Sequence, residues 1–278
     1  MARLSPRAVR LAWGAGSAAV IAYALLPLLW LVSLSLKAPD SVTDERPWPT
    51  DPTLENYRAI FGSSLFTRAL LNSVLVASST SIVAVVPATL AAYALARLDF
   101  RGKSLVLPLT LAVAVFPPVS VVGPLFEVWR SVRLYDTVPG LVIPYLSFGL
   151  PVAMWTLMAF FRTIPWGMEQ AAEVDGATRW QAFRGVVVPL ARPGVLTAAI
   201  VVFFFAWSDF LLAISLTSSD RSRTVPAALA FFPGEQRFSQ PVGSIAAAAV
   251  VVTVPVVVAV LVFRRRLVAG LTAGVGAG

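Results

Sequence analysis

The chain contains neither cysteine nor histidine. Without thiols it forms no disulfide and offers no thiolate nucleophile; without imidazole it lacks the commonest general base and the usual zinc ligands. Enzymatic catalysis and a bound metal are therefore not expected of it. Lysine is nearly absent too, with only Lys37 and Lys103 beside twenty arginines. Charge is sparse: 13% of the 278 residues are Asp, Glu, Lys or Arg, against 58% hydrophobic. A soluble domain carries roughly 25% charged residues, so this is the composition of an integral membrane protein. The apolar runs are too long and too free of alternation for barrel strands, and backbone in lipid must otherwise bond to itself as helix. The expected fold class is all-α and membrane-embedded. The net charge of +8 reflects arginine-rich loops of a multi-pass chain, and no nucleic-acid partner is expected.

Charge-free intervals place the spans. Arg10 to Lys37, Arg68 to Arg97, Lys103 to Glu127, Asp136 to Arg162, Arg192 to Asp220 and Arg237 to Arg264 each enclose enough residues to cross a bilayer, and Asp209 alone interrupts one of them. A crossing needs about 20 apolar residues. Six transmembrane helices are expected at 11–36, 69–96, 104–126, 137–161, 194–217 and 241–263, in a single domain over 1–278. Thirteen of the 22 basic residues lie in the N-terminal segment, the 97–103 loop, the loop from Arg162 to Arg192 and the tail. The outer loops 37–68, 127–136 and 218–240 hold the other nine. Basic loops stay in the cytoplasm, so both termini and residues 163–193 are assigned there. The first apolar run is too long for a signal-peptide core and lacks a small-residue cleavage site; it is read as a retained helix.

Residues 163–193 form the longest polar interruption that still reads as helix. Pro165 suits a first helical turn, and Gly176 can take the left-handed conformation that ends the helix through Glu169, Ala171 and Ala172. Thr178 with Gln181 has capping-box spacing and starts a second helix whose apolar face continues through Phe183 to Pro189. An amphipathic hairpin lying on lipid and a docking element for a partner both fit this pattern. Prolines crowd the third and fourth spans: Pro108, Pro117, Pro118 and Pro124, then Pro139, Pro144 and Pro151. They signal either curvature for packing or a lined pathway. Trp207 and Asp209, inside the fifth span, are candidates for a translocation pathway or for a structural role. The exposed-aromatic turn at Phe231, Phe232, Pro233, Gly234, Glu235 and Gln236 suits contact with an external partner or an anchor at the membrane interface.

ATP hydrolysis by this chain is not expected from its glycines. Gly102-Lys103-Ser104 resembles the end of a phosphate-binding loop, but the leading glycine would fall on Arg97 and no strand precedes it. An ion-coupled secondary transporter using Asp209 is the alternative class; neither a second ionisable group in a span nor two matching halves supports it.

The segment Ala171-Ala172-Glu173-Val174-Asp175-Gly176-Ala177, followed by Phe183, Pro189 and Pro193, resembles the EAA loop of binding-protein-dependent ABC import permeases. Asn56-Tyr57, Asn72-Ser73, Ala92-Tyr93-Ala-Leu-Ala-Arg97, Trp207 to Phe210 and the tail from Ala269 to Gly274 resemble the carbohydrate branch, of the kind that includes the inner membrane permeases of the maltose importer. Ser33-Leu-Ser-Leu-Lys37, Phe161 to Trp166 and Ser244 to Ala247 are most similar to permeases of trehalose and maltose importers. The resemblance implies a type I ABC importer permease fold in a bacterial cell membrane, with 163–193 holding a cytoplasmic coupling helix. It also implies the partners: a second permease of the maltose-importer kind, an ATPase dimer that binds ATP and Mg, and an extracytoplasmic sugar-binding protein. No cofactor is implied for this chain itself. The ATPase-coupling residues would be Glu169, Gln170, Ala171, Ala172, Glu173, Asp175, Gly176 and Ala177, and the loop from Phe231 to Gln236 would meet the binding protein. Aligned on Asp175-Gly176, the family's leading glutamate falls on Gln170, with Glu169 one position earlier and about 100° round the helix.

Overall fold

The computed structural model describes residues 6–42, 44, 46–232 and 242–275. Among these the chain is helical throughout, with no strand: α1 Pro6–Ser35, α2 Glu55–Gly62, α3 Ser64–Arg97, α4 Lys103–Val115, α5 Pro118–Ser131, α6 Val138–Thr163, α7 Trp166–Val174, α8 Arg179–Ala182, α9 Val188–Ser208, α10 Leu211–Leu216, α11 Val225–Leu229 and α12 Val242–Val275. A π-helical turn, Phe183–Val187, joins α8 to α9. Five helices are long and apolar enough to cross a membrane, and six spans result when α4 and α5 are counted as one bent span.

Two of the expected spans are broken. The stretch 104–126 bends by 83° between α4 and α5. Phe116 and Pro117 both sit in the extended region, because each precedes a proline whose ring disfavours the helical conformation there. The stretch 194–217 is interrupted at Asp209, which is also extended. At the other end of the chain α12 runs beyond 263: Arg264 to Arg266 end the apolar run, yet arginine, leucine and alanine all favour helix.

The chain divides into two compact units, residues 1–67 with 231–254, and residues 68–230 with 255–278. In the first, pieces of sequence far apart are wired together through the loop after α1. Lys37 is only 1% exposed; its ammonium donates to the carbonyls of Asp44 at 2.6 Å and Arg46 at 2.9 Å and lies 5.7 Å from the centroid of the Trp30 ring. The buried Asn56 amide donates to the carbonyls of Ser35 at 3.1 Å and Lys37 at 2.7 Å, and its oxygen accepts from the Ser244 hydroxyl at 3.4 Å. The Ser35 and Tyr57 hydroxyls are 2.8 Å apart. These bonds satisfy backbone groups that a loop would otherwise leave unpaired.

In the second unit α3, α6 and α9 supply the core, with small residues at their seams. Ala84, Ala88 and Ala92 of α3 are fully buried beside Ala153, Leu157 and Phe161 of α6 and Ala191, Ala198 and Val202 of α9. A Cβ placed on Gly149 would lie 3.1 Å from Val202 and 3.3 Å from Ala84. Small residues let helix backbones approach where lipid supplies no hydrophobic drive between them. The Ser81 hydroxyl crosses from α3 to the Ala199 carbonyl at 2.9 Å. At the other end of α3, Asn72 donates to the carbonyls of Asp220 and Arg223, each at 3.0 Å, and the Ser73 hydroxyl accepts from the Val225 amide at 2.8 Å.

Candidate functional site: a capped helix corner

Helix α7 ends as its sequence dictates. Gly176 has φ of +92°; its N–H donates to the Glu173 carbonyl at 3.1 Å, and the Ala177 N–H to the Ala172 carbonyl at 2.9 Å. This is the paired closure in which a left-handed residue ends a helix, a place where glycine is favoured because it carries no Cβ. Thr178 then starts α8 with a complete capping box: its hydroxyl accepts from the Gln181 N–H at 3.3 Å, while Gln181 Oε1 accepts from the Thr178 N–H at 2.8 Å. Two short helices thus meet at a fixed corner, and the chain passes through the π turn into α9.

The corner has an outer and an inner face. Gln170, Ala171, Glu173, Asp175 and Gly176 are exposed, and Ala172 and Ala177 are partly so. Around them stand exposed apolar side chains, Met168, Val174 and Trp180, with Val174 at 86%. Glu173 is 3.9 Å from Arg179, a solvent-facing pair of little energetic weight. Glu169 differs from the other seven expected coupling residues: it is 5% exposed and turned inward. Its carboxylate accepts from the Tyr93 hydroxyl and lies 3.3 Å from the Arg97 Nε, both on α3. Arg97, itself buried, donates through Nη2 to the Ile164 carbonyl at 2.7 Å and lies 5.5 Å from the Trp166 ring centroid. Tyr93 packs on Phe183 at 4.6 Å and edge-on to Phe161 at 6.1 Å. Tyr93 and Arg97 stand out in sequence only within the motif that closes the second span; nothing local marks their partner as Glu169, 76 residues away from Tyr93.

Asp209 and Trp207 occupy different surroundings. Asp209 Oδ2 accepts from the amides of Leu212 at 3.0 Å and Ala213 at 3.1 Å and from the Tyr145 hydroxyl at 2.9 Å. It therefore caps α10 at the break, as Asp does at helix starts. All three donors reach the same oxygen, which gives this carboxylate a capping place in the fold. Trp207 is 2% exposed and stacks on Phe203 at 5.5 Å. A cavity of about 570 Å³ lies against the α4–α5 bend, lined among others by Phe116, Pro144, Ser147 and the rings of Phe148 and Phe205, which stack at 3.7 Å. Neither Trp207 nor Asp209 lines it. Phe231 is 51% exposed and Phe232 partly so; Pro233, Gly234, Glu235 and Gln236 lie outside the described residues. Among the described residues no cluster of side chains is arranged to hold a metal.

A multi-pass bundle interrupted by a capped, outward-facing helix corner is the build of a transport permease. The chain belongs to the family described as binding-protein-dependent transport system inner membrane component, whose model matches residues 84–272. It is 52% identical over 262 residues to the trehalose transport system permease protein SugB of Mycobacterium tuberculosis, covering 94% of this chain and 96% of that one. It is 42% identical over 252 residues to the sulfoquinovosyl glycerol transport system permease protein SmoH of Agrobacterium fabrum, covering 90% and 88%. Its fold matches the crystal structure of a bacterial ABC transporter involved in the import of the acidic polysaccharide alginate, with a TM-score of 0.79 over 95% of this chain and 98% of the solved one at 20% identity. The protein is a membrane permease component of an ABC importer.

Proposed function

We propose that this chain forms half of the translocation route of an importer for trehalose, maltose or a related disaccharide. A second permease of the maltose-importer kind completes the route. Separate ATPase chains carry ATP and Mg, and an extracytoplasmic binding protein delivers the sugar. The observation that carries the coupling role is the corner at Gly176. Its outer face groups Met168, Val174 and Trp180 with Gln170, Glu173 and Asp175, an exposed apolar patch with charged neighbours of the kind that marks a protein contact. Two capped ends hold α7 and α8 at a set angle, so a partner that moves the corner moves the helices attached to it. In this reading the corner, both termini and the Arg97–Lys103 loop face the cytoplasm, in accord with their arginine content. Gln170 stands outward where a glutamate is usual in the family, and contributes a neutral hydrogen bond to the ATPase in place of a charge-assisted one. The sugar assignment is supported by the similarity to SugB, and the side chains lining the cavity at the α4–α5 bend are the route candidates on this chain. Trp207 and Asp209 support that route by packing and capping. Phe231 to Gln236 form the segment that meets the binding protein.

The test is uptake by the complete complex in proteoliposomes. Labelled trehalose should enter only with ATP and the binding protein present, at zero ion gradient, and unlabelled maltose should compete. Uptake driven by a proton or sodium gradient without ATP would refute the assignment.

A further inference from the structure

We infer that Arg97 and Glu169 are positioning residues of the coupling step: their buried pairing fastens α7 to the end of α3, so that displacement of the corner reaches the second span directly. This rests on the coupling role proposed above and adds a route to it. The chain itself ties α7 to α6 through Ile164 and Pro165, and to α9 through α8 and the π turn. It does not tie α7 to α3. Tyr93 and Arg97 make that connection through one carboxylate.

Three features argue for a device that sets orientation. The first is environment. Both side chains of the pair are 7% exposed, among Phe161, Phe183 and Trp166. An ion pair in such a place gives no general advantage in stability over apolar side chains of equal volume, but separating its members would leave two buried charges uncompensated, so it favours the arrangement of α3 and α7 that keeps them together. The second is what Arg97 gathers. Its Nη2 takes the Ile164 carbonyl at the end of α6, where a cation also complements the helix dipole. Its Nε faces Glu169 on α7, and its plane lies near Trp166, the first residue of α7. One guanidinium thus joins the ends of α3 and α6 to the start of α7. The third is phase. With Glu169 held inward, Gln170 one position on is rotated by about 100° round α7. Gln170 is accordingly exposed, so the inward glutamate sets which face is presented.

The experiment uses the complete complex in proteoliposomes and reads two quantities together, sugar imported and ATP hydrolysed, alongside the amount of ATPase that co-purifies. Glu169→Gln and Arg97→Gln are each expected to lower sugar imported per ATP by about five-fold, with co-purification unchanged. The double variant Arg97→Gln/Glu169→Gln is expected to lose less than the product of the single losses, because neither side chain is left as an unpaired buried charge. Tyr93→Phe removes one donor to the same carboxylate while leaving the charge pair, and is expected to lower the ratio by about two-fold; it serves if a charge variant fails to assemble. Wild-type import per ATP in the single variants, or losses that simply multiply in the double, overturns the inference. Absence of ATP-driven uptake in the wild-type complex instead overturns the functional reading on which it depends.

Discussion

Asp136 has φ of +60°, a left-handed conformation uncommon for a residue with a side chain. Its surroundings hold it there: its carboxylate accepts from the amides of Ser218 at 2.8 Å and Ser219 at 3.0 Å and from the hydroxyls of Ser219 at 2.5 Å and Ser222 at 2.7 Å. Its own N–H donates to the Leu216 carbonyl at 2.9 Å. Burial pushes the acid's pKa up, but the hydrogen bonds from Ser219, Ser218 and Ser222 outweigh it and bring the value down from 3.8 to about 2. A carboxylate depressed in the folded state stabilises above its unfolded pKa, and that contribution disappears as the pH falls through the folded one. We predict that Asp136→Asn destabilises the purified protein by about 1–3 kcal/mol near neutral pH, and that the difference from wild type shrinks between pH 4 and pH 2. Thermal melts of both proteins across that range measure it; a difference independent of pH would remove the role given to the charge. The sequence marks Asp136 only as a charge between two spans, because its partners follow 82 to 86 residues later. Thr178 and Gly176 were legible for the opposite reason, since their partners lie within five residues.

Helices α6 and α9 approach closely at Gly194. A Cβ added there would lie 2.8 Å from the Cβ of Phe160, an atom that no rotamer change can move away. Gly194→Ala should therefore destabilise by about 1–3 kcal/mol, the usual cost of overfilling a packed seam. Gly167→Ala on α7 meets nothing within 4 Å and should be neutral or stabilising by up to about 1 kcal/mol through helix propensity. Melting temperatures in one detergent compare the two, and equal effects would count against the close approach. The six spans were readable as charge-free intervals because desolvating charge in lipid is costly over the whole length of a crossing. The breaks were not. A window of apolar residues is blind to an 83° bend, and of the prolines in the third span only Pro117 and Pro118, being consecutive, produce one. Asp209, inside an apolar run, reads equally as a pathway carboxylate or a structural one; its bonds to Tyr145 and the amides of α10 are with partners that no local pattern announces. Likewise, sequence placed Glu169 and Gln170 on different faces of α7, but only packing turns the first onto Arg97.

For the molecule as a whole, the assignment of sides rests on arginine, since acids carry little topological weight. Thirteen of 22 basic residues fall in the segments assigned to the side of the Gly176 corner, and moving so many cations across a membrane against its potential is strongly unfavourable. Because the chain contains no cysteine, each side can be probed in whole cells with one introduced thiol and no background from this chain. Arg101 and Ser218 are both exposed and lie in loops that the arginine distribution assigns to opposite sides, and neither belongs to the outer face of the corner where a bound ATPase would shield a thiol. A membrane-impermeant maleimide added to intact cells should label Ser218→Cys and leave Arg101→Cys unlabelled. After permeabilisation both should react. The reverse pattern would place the corner outside the cell, out of reach of any ATPase, and the coupling role of α7 and its anchoring to α3 would fall together.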